Sequence, residues 1–108
     1  MNRKLLGLLG IARRAGKITT GFDAVAAQIA AGECGVVLIA GDLSEKTKKE
    51  LRFAANGKQV PFLQLELTKD ELSKGLGFCK PIGVVSLEER GFVAAILKCC
   101  NYEEDDAK

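Results

Sequence analysis

The five-residue run Val36-Val37-Leu38-Ile39-Ala40 constrains this chain more than any other segment. It is aliphatic without a polar break and too short for a buried helix, so it suits a strand covered on both faces. Such a strand needs a layer on each side, and the segments around it have helical periodicity. Before it, a helix from about Phe22 to Ala31 places Val25, Ala26 and Ile29 on one side, with Gly32 in the left-handed closing position. After it, Ser44 is placed to cap a helix to about Asn56. That helix turns Leu51, Ala54 and Ala55 inward and Lys46, Lys48, Lys49 and Arg52 largely outward, and Gly57 closes it.

The same alternation continues toward both ends. Leu5, Leu6, Leu8, Leu9 and Ala12 recur at helical spacing, which predicts a helix over residues 3 to 14. Gly7 and Gly10 each cost about 1 kcal/mol relative to alanine in such a helix, so close approach of another backbone is expected there. Gly16 ends the helix, and Lys17 to Thr20 makes a short extended connection. Val60 to Leu65 predicts a second strand, with Pro61 near its start where a missing N–H does least harm. Thr68 to Glu71 has capping-box spacing and opens a short helix through Leu72 and Leu76 to Gly77. Ile82 to Leu87 predicts a further strand. Ser86 to Glu89 offers a second capping box for a last helix with Phe92, Val93, Ile96, Leu97 and Cys100 on its apolar side.

This order predicts an α/β chain, a three-layer α/β/α sandwich whose central mixed sheet has about four strands, predominantly or partly parallel. The 108 residues fit one domain over 1–102, and 103–108 is an acidic tail expected to be solvated and disordered. No apolar run approaches the ~20 residues of a membrane span. The leucine-rich start imitates a signal peptide, but Arg13-Arg14 stands where a cleavage site should, so an amphipathic helix of the mature protein is expected.

Several chemistries are excluded by residue type. The chain has no histidine, which removes Ser-His-Asp and Cys-His catalysis. Cys34, Cys79, Cys99 and Cys100 have no C-x-x-C spacing, so reduced thiols in a cytoplasmic protein are expected rather than a metal site. No phosphate-loop or dinucleotide-binding glycine motif follows any predicted strand, and no cofactor is implied. Residues 1–17 carry five basic side chains and no acid, whereas 103–106 is Glu-Glu-Asp-Asp. The body is therefore more basic than the net charge of +2, a balance that favours a polyanionic partner.

Gly21-Phe22-Asp23, Gly32, Val36 to Asp42, Val60-Pro61-Phe62, Leu72, Gly77 and Lys80 to Val85 together resemble the kink-turn RNA-binding ribosomal-protein superfamily. That superfamily includes the archaeal large-subunit protein "L-seven-Ae" and the eukaryotic "L-thirty-e". Leu8 to Lys17 is similar to its short bacterial YlxQ-like members, and the likeness spans about residues 5 to 100. The resemblance implies a non-enzymatic, ribosomal-type RNA-binding protein. In the family, the start of the second helix enters the widened groove of a kink-turn, and the loop before the last strand packs under an extruded nucleotide.

Mapped onto this chain, the resemblance implies RNA contacts at Gly21, Phe22 and Asp23, at Lys48 and Lys69, and along the loop Phe78, Lys80, Pro81 and Ile82. Arg13, Arg14 and Lys17 form a basic cluster that could also touch phosphate. The family's Asn, Glu and Lys at the helix entrance meet Asp23, Ala24 and Ala27 here. An ionised aspartate only accepts hydrogen bonds, so guanine-edge donation and one phosphate contact are lost. Asp23 also has an ordinary role open to it, as a helix cap accepting from amides two or three residues on. The expected partners are structured or ribosomal RNA and ribosome-associated proteins, with no membrane or DNA partner. Two other functions fit the residues: a protein-interaction module that kept the fold but lost kink-turn reading, and a carboxylate enzyme using Asp42 at a strand end.

Overall fold

The computed structural model describes residues 2–100; the acidic tail at 103–108 lies outside the described residues. In chain order the elements are α1 (Asn2–Arg14), β1 (Ile18–Thr20), α2 (Phe22–Ala30), β2 (Val36–Ile39), α3 (Glu45–Gly57), β3 (Phe62–Gln64), α4 (Lys69–Leu76), β4 (Val84–Leu87) and α5 (Arg90–Cys99). The strands form one sheet in the order β1-β4-β2-β3. β4 lies antiparallel to both β1 and β2, and only β2 and β3 run parallel. The sheet is mixed as expected, but antiparallel pairs predominate. Strand direction depends on where each helix crosses, which local periodicity does not encode.

β2 is buried along its whole length, and its side chains alternate between two cores. Val36 and Leu38 join Leu5, Leu9 and Ala12 of α1, Leu72 and Leu76 of α4, and Ile96 of α5 on one face. Val37 and Ile39 join Val25 and Ile29 of α2 and Leu51 and Ala55 of α3 on the other. These two clusters make the three layers of the predicted α/β/α sandwich. Removing a fully buried leucine such as Leu38, which is 0% exposed, is expected to cost about 2–5 kcal/mol.

Four local expectations are corrected. Lys17 to Thr20 is more than a connection, because Ile18 to Thr20 pairs with Val85 to Leu87 as the edge strand β1. Ser86 does not cap α5: it sits inside β4, fully buried, with its hydroxyl bonded to Gln28 of α2. Pairing on both sides extends β4 to Leu87, and the cap passes to Glu89, whose Oε1 accepts from the Phe92 amide at 2.9 Å. Gly57 is the last helical residue of α3 rather than a left-handed closing residue; Lys58 caps the helix, and Gln59 takes the positive φ of 58°. Gly7 and Gly10 have no neighbour within 4 Å of an added Cβ, whereas Gly75 of α4 would place one 2.8 Å from Leu6 Cδ2. The helix–helix contact that needs a glycine is therefore made from α4 toward α1.

Candidate nucleic-acid interface

The strand directions bring three helix entrances to one end of the sheet. Thr20, Ile39 and Gln64 end β1, β2 and β3 there, and Val84 begins β4. The entrances of α2, α3 and α4 and the last residues of the 77–83 loop therefore meet along one rim. Every helix leaves its first amides without intrahelical acceptors, and the three entrances are closed in different ways.

The α3 and α4 entrances are closed by their own side chains. Ser44 Oγ accepts from the Thr47 amide at 3.2 Å. Thr68 and Glu71 form a complete capping box, with Thr68 Oγ1 accepting at 3.1 Å and Glu71 Oε1 accepting at 2.9 Å. Asp42 Oδ1 adds a bond from the Lys69 amide at 2.8 Å. That bond gives the strand-end carboxylate a structural role at the α4 entrance.

The α2 entrance is different. Its first position is Gly21, at φ 94° and ψ 150°, and no side-chain hydrogen bond caps it. Those angles lie in a region essentially restricted to glycine. The Gly21 amide donates to Val84 O at 3.0 Å, which fixes the turn against β4, and the Gly21 carbonyl accepts the first helical bond from Val25 at 3.0 Å. The amides of Phe22, Asp23 and Ala24 point out of the helix start with no intrahelical acceptor. Asp23 lies in the first helical turn rather than at the cap, so the capping role expected for it is not taken. Its side chain is exposed, as are Ala24, Ala27 and, at 39%, Phe22.

Facing this entrance across the rim is the end of the 77–83 loop. Ile82 donates its amide to Ser73 Oγ, and Ser73 donates to Lys69 O at 2.7 Å, so a buried serine ties the loop to α4. Gly83 lets the loop pack tightly, since a Cβ there would stand 2.6 Å from Leu43 Cδ2 and 3.1 Å from the Lys69 stem. Lys69 thus lies across the loop end, and Lys80 and Pro81 are exposed beside it. Ser73 escaped notice in the sequence because its role depends on a contact nine residues away.

The remaining candidates are placed elsewhere. Lys48 does not face outward: its side chain is 10% exposed, with Nζ 3.5 Å from Glu45 Oε2. It lies among the inward positions of α3 beside Leu51 and Ala55. Phe78 packs on the α1/α4/α5 core, beneath the Arg13 guanidinium at 4.1 Å. Arg13 also donates to Leu76 O at 3.1 Å, so it clamps the end of α4. Arg13, Arg14, Lys17 and Phe78 lie toward the opposite end of the sheet from Gly21, where β1 starts and α4 finishes. Cys34 is half-buried, and that burial pushes its thiol up, which disfavours the reactive thiolate at neutral pH. Among the described residues, no helix is long and apolar enough to cross a membrane.

Comparison with known proteins bears on the family and the fold. A family model described as "Ribosomal protein L7Ae/L30e/S12e/Gadd45 family" matches residues 3–96. "RNA-binding protein YlxQ" of Enterococcus faecium is 33% identical over 90 residues, covering 83% of this chain and 84% of that protein. Its namesake from Bacillus subtilis (strain 168) is 30% identical over 90 residues, covering 83% and 88%. Among solved structures, a protein with unknown function from Bacillus halodurans C superposes with a TM-score of 0.77 at 27% identity, covering 86% of this chain and 95% of that one. The Giardia lamblia 15.5kD RNA binding protein shares the fold, with a TM-score of 0.75 at 23% identity and 90% and 84% coverage. With its mixed sheet, its two cores and a match over nearly all the described residues, the chain belongs to the ribosomal protein L7Ae/L30e/S12e/Gadd45 family.

Proposed function

We propose that this protein binds structured RNA of the kink-turn kind and acts by binding alone. The observation that carries the proposal is the uncapped α2 entrance, on the same rim as two entrances that are closed by side chains. A helix start with free amides and the positive end of its dipole favours phosphate, and the absent Cβ of Gly21 leaves room for a close backbone. Lys69 and Lys80 supply cations across the rim, and Pro81 with Ile82 supplies apolar atoms for an unstacked base. The RNA-binding names of the two YlxQ relatives support the same reading. Structured ribosomal RNA is the proposed ligand class, in the cytoplasm, with ribosome-associated proteins as further partners.

Asp23, Ala24 and Ala27 set the affinity. All three are exposed on α2, so longer polar side chains can be added there without entering the core. As a test, a kink-turn RNA and an unrelated hairpin of equal length are titrated across a salt series. The kink-turn is expected to bind at least about tenfold tighter, a difference of about 1.4 kcal/mol. Combining Asp23→Asn, Ala24→Glu and Ala27→Lys is expected to widen that gap. Equal affinity for both RNAs, with no response to the triple variant, would rule out kink-turn reading at this entrance.

A further inference from the structure

The outer face of α3 holds a group that neither the core nor the rim uses. Phe53 is 82% exposed, far more than Phe22 at 39% or Ile11 at 49%. Lys46, Lys49 and Phe53 fall at spacings of three and four residues, so they form one stripe along the helix. Both lysines are exposed, and neither has an ion-pair partner among the described residues. Two acids share the helix: Glu45 pairs with Lys48 at 3.5 Å, and Glu50 flanks the stripe. Arg52 leans away, its guanidinium 5.4 Å from the centre of the Phe62 ring on β3.

We propose that this stripe is a second RNA contact, which takes an unpaired single-stranded segment with a base on Phe53 and phosphates on Lys46 and Lys49. Interleaved cations and an exposed ring are the elements of single-strand binding surfaces, where aromatic faces stack bases and lysines follow the backbone. A protein partner fits less well, because lysine is depleted from the centres of protein interfaces. The location suits a continuing strand. α2 packs along α3, and Phe53 lies eight residues beyond Glu45, about 12 Å along the axis from an entrance on the same rim as Gly21. The link to a rim-bound RNA rests on the function proposed above, whereas the stripe's own affinity for a single strand does not.

The test uses the full chain and three probes: a blunt kink-turn RNA, the same RNA with a single-stranded extension of roughly ten nucleotides, and the extension alone as oligouridine. The extension is expected to tighten binding about fivefold or more. Phe53→Leu is expected to abolish that gain and Phe53→Trp to keep it, with blunt RNA bound equally by all three proteins. Lys46→Gln with Lys49→Gln should reduce the salt slope on the extended RNA by about 1.4. If the kink-turn itself is not bound but oligouridine binds and depends on Phe53, the stripe stands and the rim reading falls. Equal affinity for blunt and extended RNA, or a gain that survives Phe53→Leu, would overturn the stripe. So would a loss of self-association in Phe53→Leu with RNA binding unchanged, which would assign the face to a second copy of the chain.

Discussion

The entrances of α2 and α4 share one rim of the sheet and are built in opposite ways. At α4, Thr68, Glu71 and Asp42 together satisfy the amides of Thr68, Lys69 and Glu71. At α2, glycine stands where Ser, Thr or Asp would cap, and no side chain replaces it. Glycine at this position costs only a few tenths of a kcal/mol relative to a capping side chain, about a tenth of a small domain's stability at most, so the α2 entrance gives up little for want of a group that would also block access to its amides. The contrast separates a helix start closed by its own side chains from one whose first amides are left uncapped, the one to which the proposed function assigns the RNA.

Three substitutions probe that contrast, and the largest effect is expected from Gly21→Ala. Space is available, with nothing within 4 Å of the added Cβ, so the cost arises from the backbone at φ 94°. A loss of about 1–3 kcal/mol in denaturant unfolding is expected, together with a loss of RNA affinity. A fully stable Gly21→Ala protein that binds RNA normally would remove the entrance from the account. Thr68→Ala comes next, at about 1 kcal/mol, because it breaks the α4 capping box. RNA affinity should stay within about twofold, and a larger drop would mean that the α4 entrance also holds the ligand. The smallest effect belongs to Asp23→Asn. A carboxylate in the first turn of a helix contributes about 0.3–1 kcal/mol through the dipole, so stability should fall slightly while RNA affinity rises. The affinity gain should shrink as salt is added, since repulsion between Asp23 and phosphate is screened.

The same contrast explains what the sequence could reveal. The α4 entrance was legible because the capping box is local: Thr68 and Glu71 meet whatever the rest of the chain does. β2 was legible because five apolar residues in a row leave few alternatives. Ser86 misled because its spacing to Glu89 matches a capping box, while strand pairing on both sides of β4 decided its fate. Lys48 misled because a lysine is expected outward, yet its position on α3 follows the inward row of Leu51 and Ala55. Its ammonium escapes only as far as Glu45. The candidate site was legible at Gly21, Lys69 and the Lys80 to Ile82 loop. The distance of Phe78 and Arg13 from that rim was not, because it depends on α4 running the length of the sheet before the loop returns. Phe53 carried no signal in periodicity, since an exposed ring breaks no pattern; only its exposure in the fold sets it apart.

Amide chemical shifts of the labelled protein, followed while kink-turn RNA is added, test the central claim most directly. The amides of Phe22, Asp23 and Ala24 are expected to move most, together with those of Ile82 and Gly83, while the capped amide of Glu71 moves little. RNA binding that leaves Phe22 to Ala24 unmoved would contradict it.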